Sequence, residues 1–111
     1  MTIRLENMDE TDYLTGGSLR GTLQASFADL KEVLGEPAFE GKGDKITTEF
    51  CVRWEDGEDD FGYFALYDWH YARDFNDDYS PITWNIGGKS FDDYLAADEV
   101  IARIKAMKEA A

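Results

Sequence analysis

The 111-residue chain has the length of one domain, and it carries 24 Asp and Glu against 11 Lys and Arg for a net charge of −13. Its 43% hydrophobic and 14% aromatic content exceeds that of a charged disordered tail and suffices for a core without staples. No run approaches the roughly 18 apolar residues of a membrane span, and the N-terminal residues lack a signal-type apolar run, so a cytoplasmic protein is expected. The lone Cys51 excludes an internal disulfide, and with the lone His70 it cannot build a structural zinc site.

Residues 1–16 are expected to be a flexible part of the single domain, and His70 to Tyr79 carry no usable period. Ser18 to Gln24 alternates, with Leu19, Gly21 and Leu23 on one side, and reads as a short strand. A helix follows: Ser26 caps it, Asp29 stands three residues on, Phe27, Leu30, Val33 and Leu34 have helical spacing, and Gly35 and Pro37 end it. Residues 46 to 54 give the clearest strand, with Ile46, Thr48, Phe50, Val52 and Trp54 on one face and Thr47, Glu49, Cys51 and Arg53 on a more solvated one. The acidic turn at Asp56-Gly57 and the aromatic run from Phe61 to Trp69 complete a β-hairpin, in which Phe64 and Leu66 cannot share a face with Tyr63, Tyr67 and Trp69. Ile82, Trp84 and Ile86 alternate in a further strand. Ser90 caps a last helix with Asp92 and Asp93 in its first turn and Arg103, Lys105 and Lys108 near its end, matching the macrodipole. Phe91, Tyr94, Leu95, Ile101, Ile104 and Met107 are expected to form its stripe against the sheet, with Ala96-Ala97-Asp98 marking a possible break. The fold expected is a single α+β domain, a small antiparallel β-sheet of three to four strands packed against two helices.

Charge is regional. Residues 55 to 99 hold 13 acids and only Arg73 and Lys89 as bases, whereas the last twelve residues are net basic. The acids fall in the hairpin turn, in the loop from Asp68 to Asp78 and at the start of the last helix, interleaved with aromatics. Such a surface repels nucleic acid and anionic membranes and favours fast, salt-sensitive encounter with a basic partner. The candidate partner-binding residues are Asp56, Glu58, Asp59, Asp60, Tyr67, Asp68, Trp69, Asp74, Asp77, Asp78, Asp92 and Asp93. Solvation by acidic loops explains the same charges, and a homodimer joined through Tyr63, Tyr67 and Trp69 or the last helix explains the same aromatics.

Catalytic and ligand chemistry finds weaker anchors. Asn85-Ile86-Gly87-Gly88-Lys89-Ser90 is like the tail of a phosphate-binding loop, but Thr83 stands where the pattern needs glycine. Asp74, Asn76 and Asp78 occupy the first three ligand positions of a calcium loop, but Tyr79 replaces its glycine and Asn85 its glutamate. Cys51, mid-strand, has no group to activate it, and His70 with Asp68 or Asp74 is the candidate for acid–base work if the protein is an enzyme. No cofactor, no metal site and no catalytic residue is expected.

Ser18-Leu19-Arg20-Gly21, the segment Phe27 to Pro37, Tyr67-Asp68-Trp69 and Trp84-Asn85-Ile86-Gly87-Gly88 together resemble a group of small acidic proteins of unassigned function found largely in bacteriophages and prophages. Their FGEP element stands here as Leu34-Gly35-Glu36-Pro37 and their WHIGG element as Trp84 to Gly88, with Leu for Phe and Asn for His. The missing histidine weakens a metal or acid–base role at that position. The resemblance implies a phage context, in which small acidic proteins occupy a host nuclease, a CRISPR effector or a polymerase by presenting carboxylates in place of a phosphate backbone. The function expected is therefore a non-enzymatic inhibitor or anti-defence protein, with a structural homo-oligomeric module as the alternative and a small enzyme centred on His70 as the second.

Overall fold

The structure, a computed structural model, describes residues 3–8, 18–41, 46–57, 59–69 and 72–110. Its elements run β1 (Arg4–Met8), β2 (Ser18–Ala25), α1 (Phe27–Leu34), β3 (Phe39–Glu40), β4 (Thr48–Asp56), β5 (Asp60–Tyr67), β6 (Ile82–Gly88) and α2 (Phe91–Ala110). The strands form one antiparallel sheet in the order β1-β4-β5-β6-β2, with the short β3 also paired to β4. This is the expected α+β arrangement with more strands than the sequence suggests. Residues 4–8, expected to be flexible, are edge strand β1, in register with Met8 opposite Cys51 and Arg4 opposite Glu55.

Local chemistry sets α1. Ser26 Oγ accepts from Asp29 N–H at 3.1 Å, and Gly35 N–H returns to Lys31 O at 2.8 Å to close the last turn. The β4–β5 hairpin forms because both runs alternate, and pairing continues to Asp56 opposite Asp60. β5 stops at Tyr67, two residues earlier than its aromatic run, because Asp68 turns its carboxylate back onto the chain entering β4.

One face of the sheet carries Leu23, Phe50, Val52, Trp54, Phe64, Leu66, Trp84 and Ile86, all buried under the two helices. Phe50 is the hub, with Phe27 at 5.9 Å and Trp84 edge-on at 5.8 Å between centroids. Burial of each large side chain contributes about 1.5–3 kcal/mol. Trp84 Nε1 donates to Ala25 O at 2.9 Å, so the core's largest ring also ties β6 to the end of β2.

α2 is one unbroken helix through Ala96-Ala97-Asp98, and its buried stripe differs from the expected one. Asp93, Ala96, Ala97, Val100 and Ile104 face inward at helical spacing, while Phe91, Leu95 and Ile101 are exposed. The reason is close approach. A Cβ at Gly21 would stand 2.1 Å from the Tyr94 ring, and one at Gly88 would stand 2.8 Å from Asp93 Cβ. A helix seated this near a sheet presents alanines to it and sends its larger side chains to the flanks. Among the described residues, no helix is long and apolar enough to cross a membrane.

Candidate functional site

The acids of the 55–99 region fall at opposite ends of β5, a separation of about 23 Å for seven strand steps. Asp56, Asp59 and Asp60 lie at the hairpin tip beside the start of α2, with Asp92 and Asp93. Asp68, Asp74, Asp77 and Asp78 lie at the far end, in the connection to β6. The sequence cannot separate these groups because both follow from the same composition. Glu58, His70 and Tyr71 lie outside the described residues.

At the tip, Asp93 faces inward. Its Oδ1 accepts from Trp54 Nε1 at 2.8 Å, and its Oδ2 accepts from the backbone N–H groups of Lys89 at 2.8 Å and Ser90 at 3.1 Å. Ser90 Oγ accepts in return from Asp93 N–H at 3.3 Å, closing a reciprocal capping box. Of the amides that a phosphate would need at Gly87-Gly88-Lys89-Ser90, those of Lys89 and Ser90 thus serve the protein's own carboxylate. No accessible carboxylate remains at Asp93, which is 5% exposed.

Asp56, Asp60 and Asp92, but not Asp59, border a cleft of about 430 Å³ whose lining is completed by Ile3, Trp54, Leu95, Ala96 and Glu99. Alternation brings them there: Asp56 and Asp60 are cross-strand partners on the same face as Trp54, beneath the first turns of α2. Glu99 is paired with Arg103 Nε at 3.3 Å, and Arg103 also donates to Ile3 O at 2.6 Å. Among the described residues no cation pairs with Asp56, Asp60 or Asp92. The nearby arginines are held elsewhere: Arg4 at 3.3 Å and Arg53 in close contact both bind Glu55, which points to the opposite face. Hydrogen bonding from Arg53 holds the Glu55 carboxyl below its ordinary pKa.

The far-end acids serve the fold. Asp68, fully buried, accepts from Thr47 N–H at 2.8 Å, Thr47 Oγ1 at 2.6 Å, Thr48 N–H at 2.9 Å and Arg73 N–H at 3.2 Å. Arg73, which sequence reading leaves unassigned, is buried; its guanidinium lies 3.4 Å from the Phe27 ring centroid and 4.1 Å from that of Phe75, bonds Thr48 Oγ1 at 2.8 Å, and pairs with Glu40 and Asp78. Asp74 accepts from Asn76 N–H at 2.9 Å. Asp77 accepts from Ser80 Oγ at 2.6 Å and from the amides of Ser80 and Tyr79, bonds that hold its carboxyl below the ordinary range. The calcium-loop pattern is therefore filled by turn hydrogen bonds, and among the described residues no three His, Cys, Asp or Glu side chains gather as a metal-ligand set.

Tyr67 and Trp69 stand on the face away from the helices, 6.3 Å apart edge to face, and Trp69 is 42% exposed. Burial and the Glu49 carboxylate raise the Tyr67 hydroxyl's pKa. On the same face Cys51 is buried, as expected of a mid-strand thiol that packs as a small hydrophobe, because β1 covers one flank and Ala65 stands opposite on the other. Burial, then the charge of Glu49, pushes the Cys51 thiol up to about 12. A thiol reagent at pH 8 is therefore expected to label the native protein slowly and the denatured protein completely, and rapid labelling of the native state would contradict this environment.

Comparison with protein-family models, curated proteins and solved structures finds no match to this chain.

Proposed function

We propose that the protein is a non-enzymatic inhibitor or anti-defence protein of phage type, which binds a basic nucleic-acid-handling host protein through an acidic surface that substitutes for a phosphate backbone. The observation that carries this reading is the arrangement around one cleft of Asp56, Asp60 and Asp92, none of which is paired with a cation among the described residues. Like charges directly opposite on neighbouring strands cost stability. Asp56 opposite Asp60 is such a pair, and solubility alone does not require those acids to face one another. The interaction surface on this reading is Asp56, Asp59, Asp60 and Asp92, with the far-end loop and the inward Asp68 and Asp93 acting on stability. Phage context rests on the sequence resemblance and the host partner's chemistry on charge.

The test is a pull-down from bacterial lysate at low and high salt, with retained proteins identified by mass spectrometry, repeated with Asp56, Asp59, Asp60 and Asp92 all changed to Asn. A nucleic-acid-handling protein retained at low salt, released at high salt and bound about tenfold more weakly by the variant is the expected result. Unchanged binding by the variant refutes the surface. Asp60→Asn alone is expected to raise stability by about 0.5 kcal/mol in urea unfolding as the Asp56–Asp60 repulsion disappears. The self-association reading is favoured by the exposure of Phe61 and Trp69 on the open face of the sheet, and a dimer in light scattering that dissociates on Trp69→Ser would establish it.

A further inference from the structure

The cleft has an apolar floor as well as an acidic rim, and the two together select a particular guest. Leu95 is 45% exposed at its edge, while Ile3, Trp54 and Ala96 line the interior. At about 430 Å³ it lies at the lower end of the range for small-ligand sites, which admits a protruding side chain and its neighbours but not a helix or a strand. A carboxylate rim over an apolar floor suits a cation on an aliphatic stem, since such side chains lay their methylenes on apolar surface and keep the charge outside.

We propose that this cleft receives an arginine side chain of the basic partner, its guanidinium among Asp56, Asp60 and Asp92 and its stem against Leu95, Ala96 and Ile3. The proposal rests on the functional reading above for the class of partner, and it adds the group recognised. Arginine fits better than lysine on two counts. Its planar fork bonds carboxylates two at a time, and it is more weakly hydrated. The molecule already seats one guanidinium at this margin: Arg103 bonds Glu99 through Nε while its terminal nitrogen donates to the carbonyl of Ile3. The walls are pre-organised, because Asp93 ties the Trp54 indole of β4 to the first turn of α2. Pre-organisation lowers the ordering cost of binding.

The experiment is an NMR titration of the full chain with N-acetyl-arginine amide, N-acetyl-lysine amide and N-acetyl-norleucine amide. Arginine is expected to shift the Trp54 indole N–H and the amides of Asp56, Asp60, Leu95 and Ala96 saturably, about threefold more tightly than lysine, with norleucine giving no saturable response. Asp60→Asn with Asp92→Asn should weaken arginine about fivefold, and Leu95→Ser should weaken it with the charge unchanged. All three positions are exposed, so the variants retain the fold, which their spectra report. Equal affinity for arginine and lysine, shifts spread over the Asp74–Asp78 loop, indifference to Leu95→Ser, or no response each overturn the site in favour of diffuse charge attraction or none. If arginine titrates into the cleft while the pull-down retains no nucleic-acid-handling protein, the functional reading falls and the arginine site stands. If such a protein is retained equally well by the Leu95→Ser and Asp92→Asn variants, the site falls and the reading stands.

Discussion

Replacing Asp68 by alanine is expected to destabilise the protein by about 3–4 kcal/mol, measured as a lower urea midpoint with little change in slope. Four donors converge on this buried carboxylate: the amides of Thr47, Thr48 and Arg73 and the Thr47 hydroxyl. Alanine leaves them unpaired with no space for full hydration, and an unmade bond to a buried group costs more than a made one contributes. The damage extends to Arg73, whose backbone position sets its guanidinium over Phe27 and between Glu40 and Asp78. Asp68→Asn should cost less, about 1–2 kcal/mol, since one oxygen still accepts from the Thr47 and Thr48 amides while the new NH2 group opposes the Arg73 N–H or the Thr47 hydroxyl. A loss below about 0.5 kcal/mol for alanine would mean that the carboxylate does not organise the β5–β6 connection.

Legibility followed the range of the interactions. α1 was readable because its signals, Ser26, Asp29, Gly35 and Pro37, are all local. The hairpin was readable because period-2 alternation on both strands fixes the register that pairs Phe50 with Leu66 and Val52 with Phe64. The separation of Phe64 and Leu66, fully buried, from Tyr63, Tyr67 and Trp69 follows from the same alternation. β1 and β3 were hidden, since edge strands of five and two residues gain their structure from pairing with distant β4. The stripe of α2 follows side-chain size at Tyr94 and Ile104 but not at Phe91, Leu95 and Ile101, because the closeness of the sheet favours alanine at the contact. For the candidate cleft, counting acids gives their place along the chain but not the direction of each side chain. Ser90 and Asp93 did carry the spacing of a capping box, a local sign that Asp93 turns inward. Asp68 carried no such sign, because Thr47 and Thr48 lie about twenty positions away, and the cleft lining from Ile3 to Glu99 is assembled only by the tertiary fold.

Asp93→Ala is the second large effect expected, a loss of about 3 kcal/mol together with loss of partner binding. Two consequences combine. Trp54 Nε1 and the Lys89 and Ser90 amides lose their acceptor, and the first turn of α2 loses the contact that holds it over β4 and β5. The cleft needs that contact, since Trp54 belongs to the sheet and Asp92, Leu95 and Ala96 to the helix. Gly62→Ala attacks the same joint from the other side, because its Cβ would stand 2.3 Å from Asp93 Oδ1 and 2.7 Å from Trp54 Nε1. If the joint is the shared cause, a double-mutant cycle of Asp93→Ala with Trp54→Phe should give a coupling of about 1–2 kcal/mol, and additive losses would show that the two residues act separately. The contrast with Asp60 is then one of sign: on the proposed function, removing the charge at Asp60 is expected to strengthen the fold and weaken the interaction, whereas removing it at Asp93 is expected to weaken both. That difference follows from where each carboxylate finds its donors, Asp93 inside the protein and Asp60 with none among the described residues.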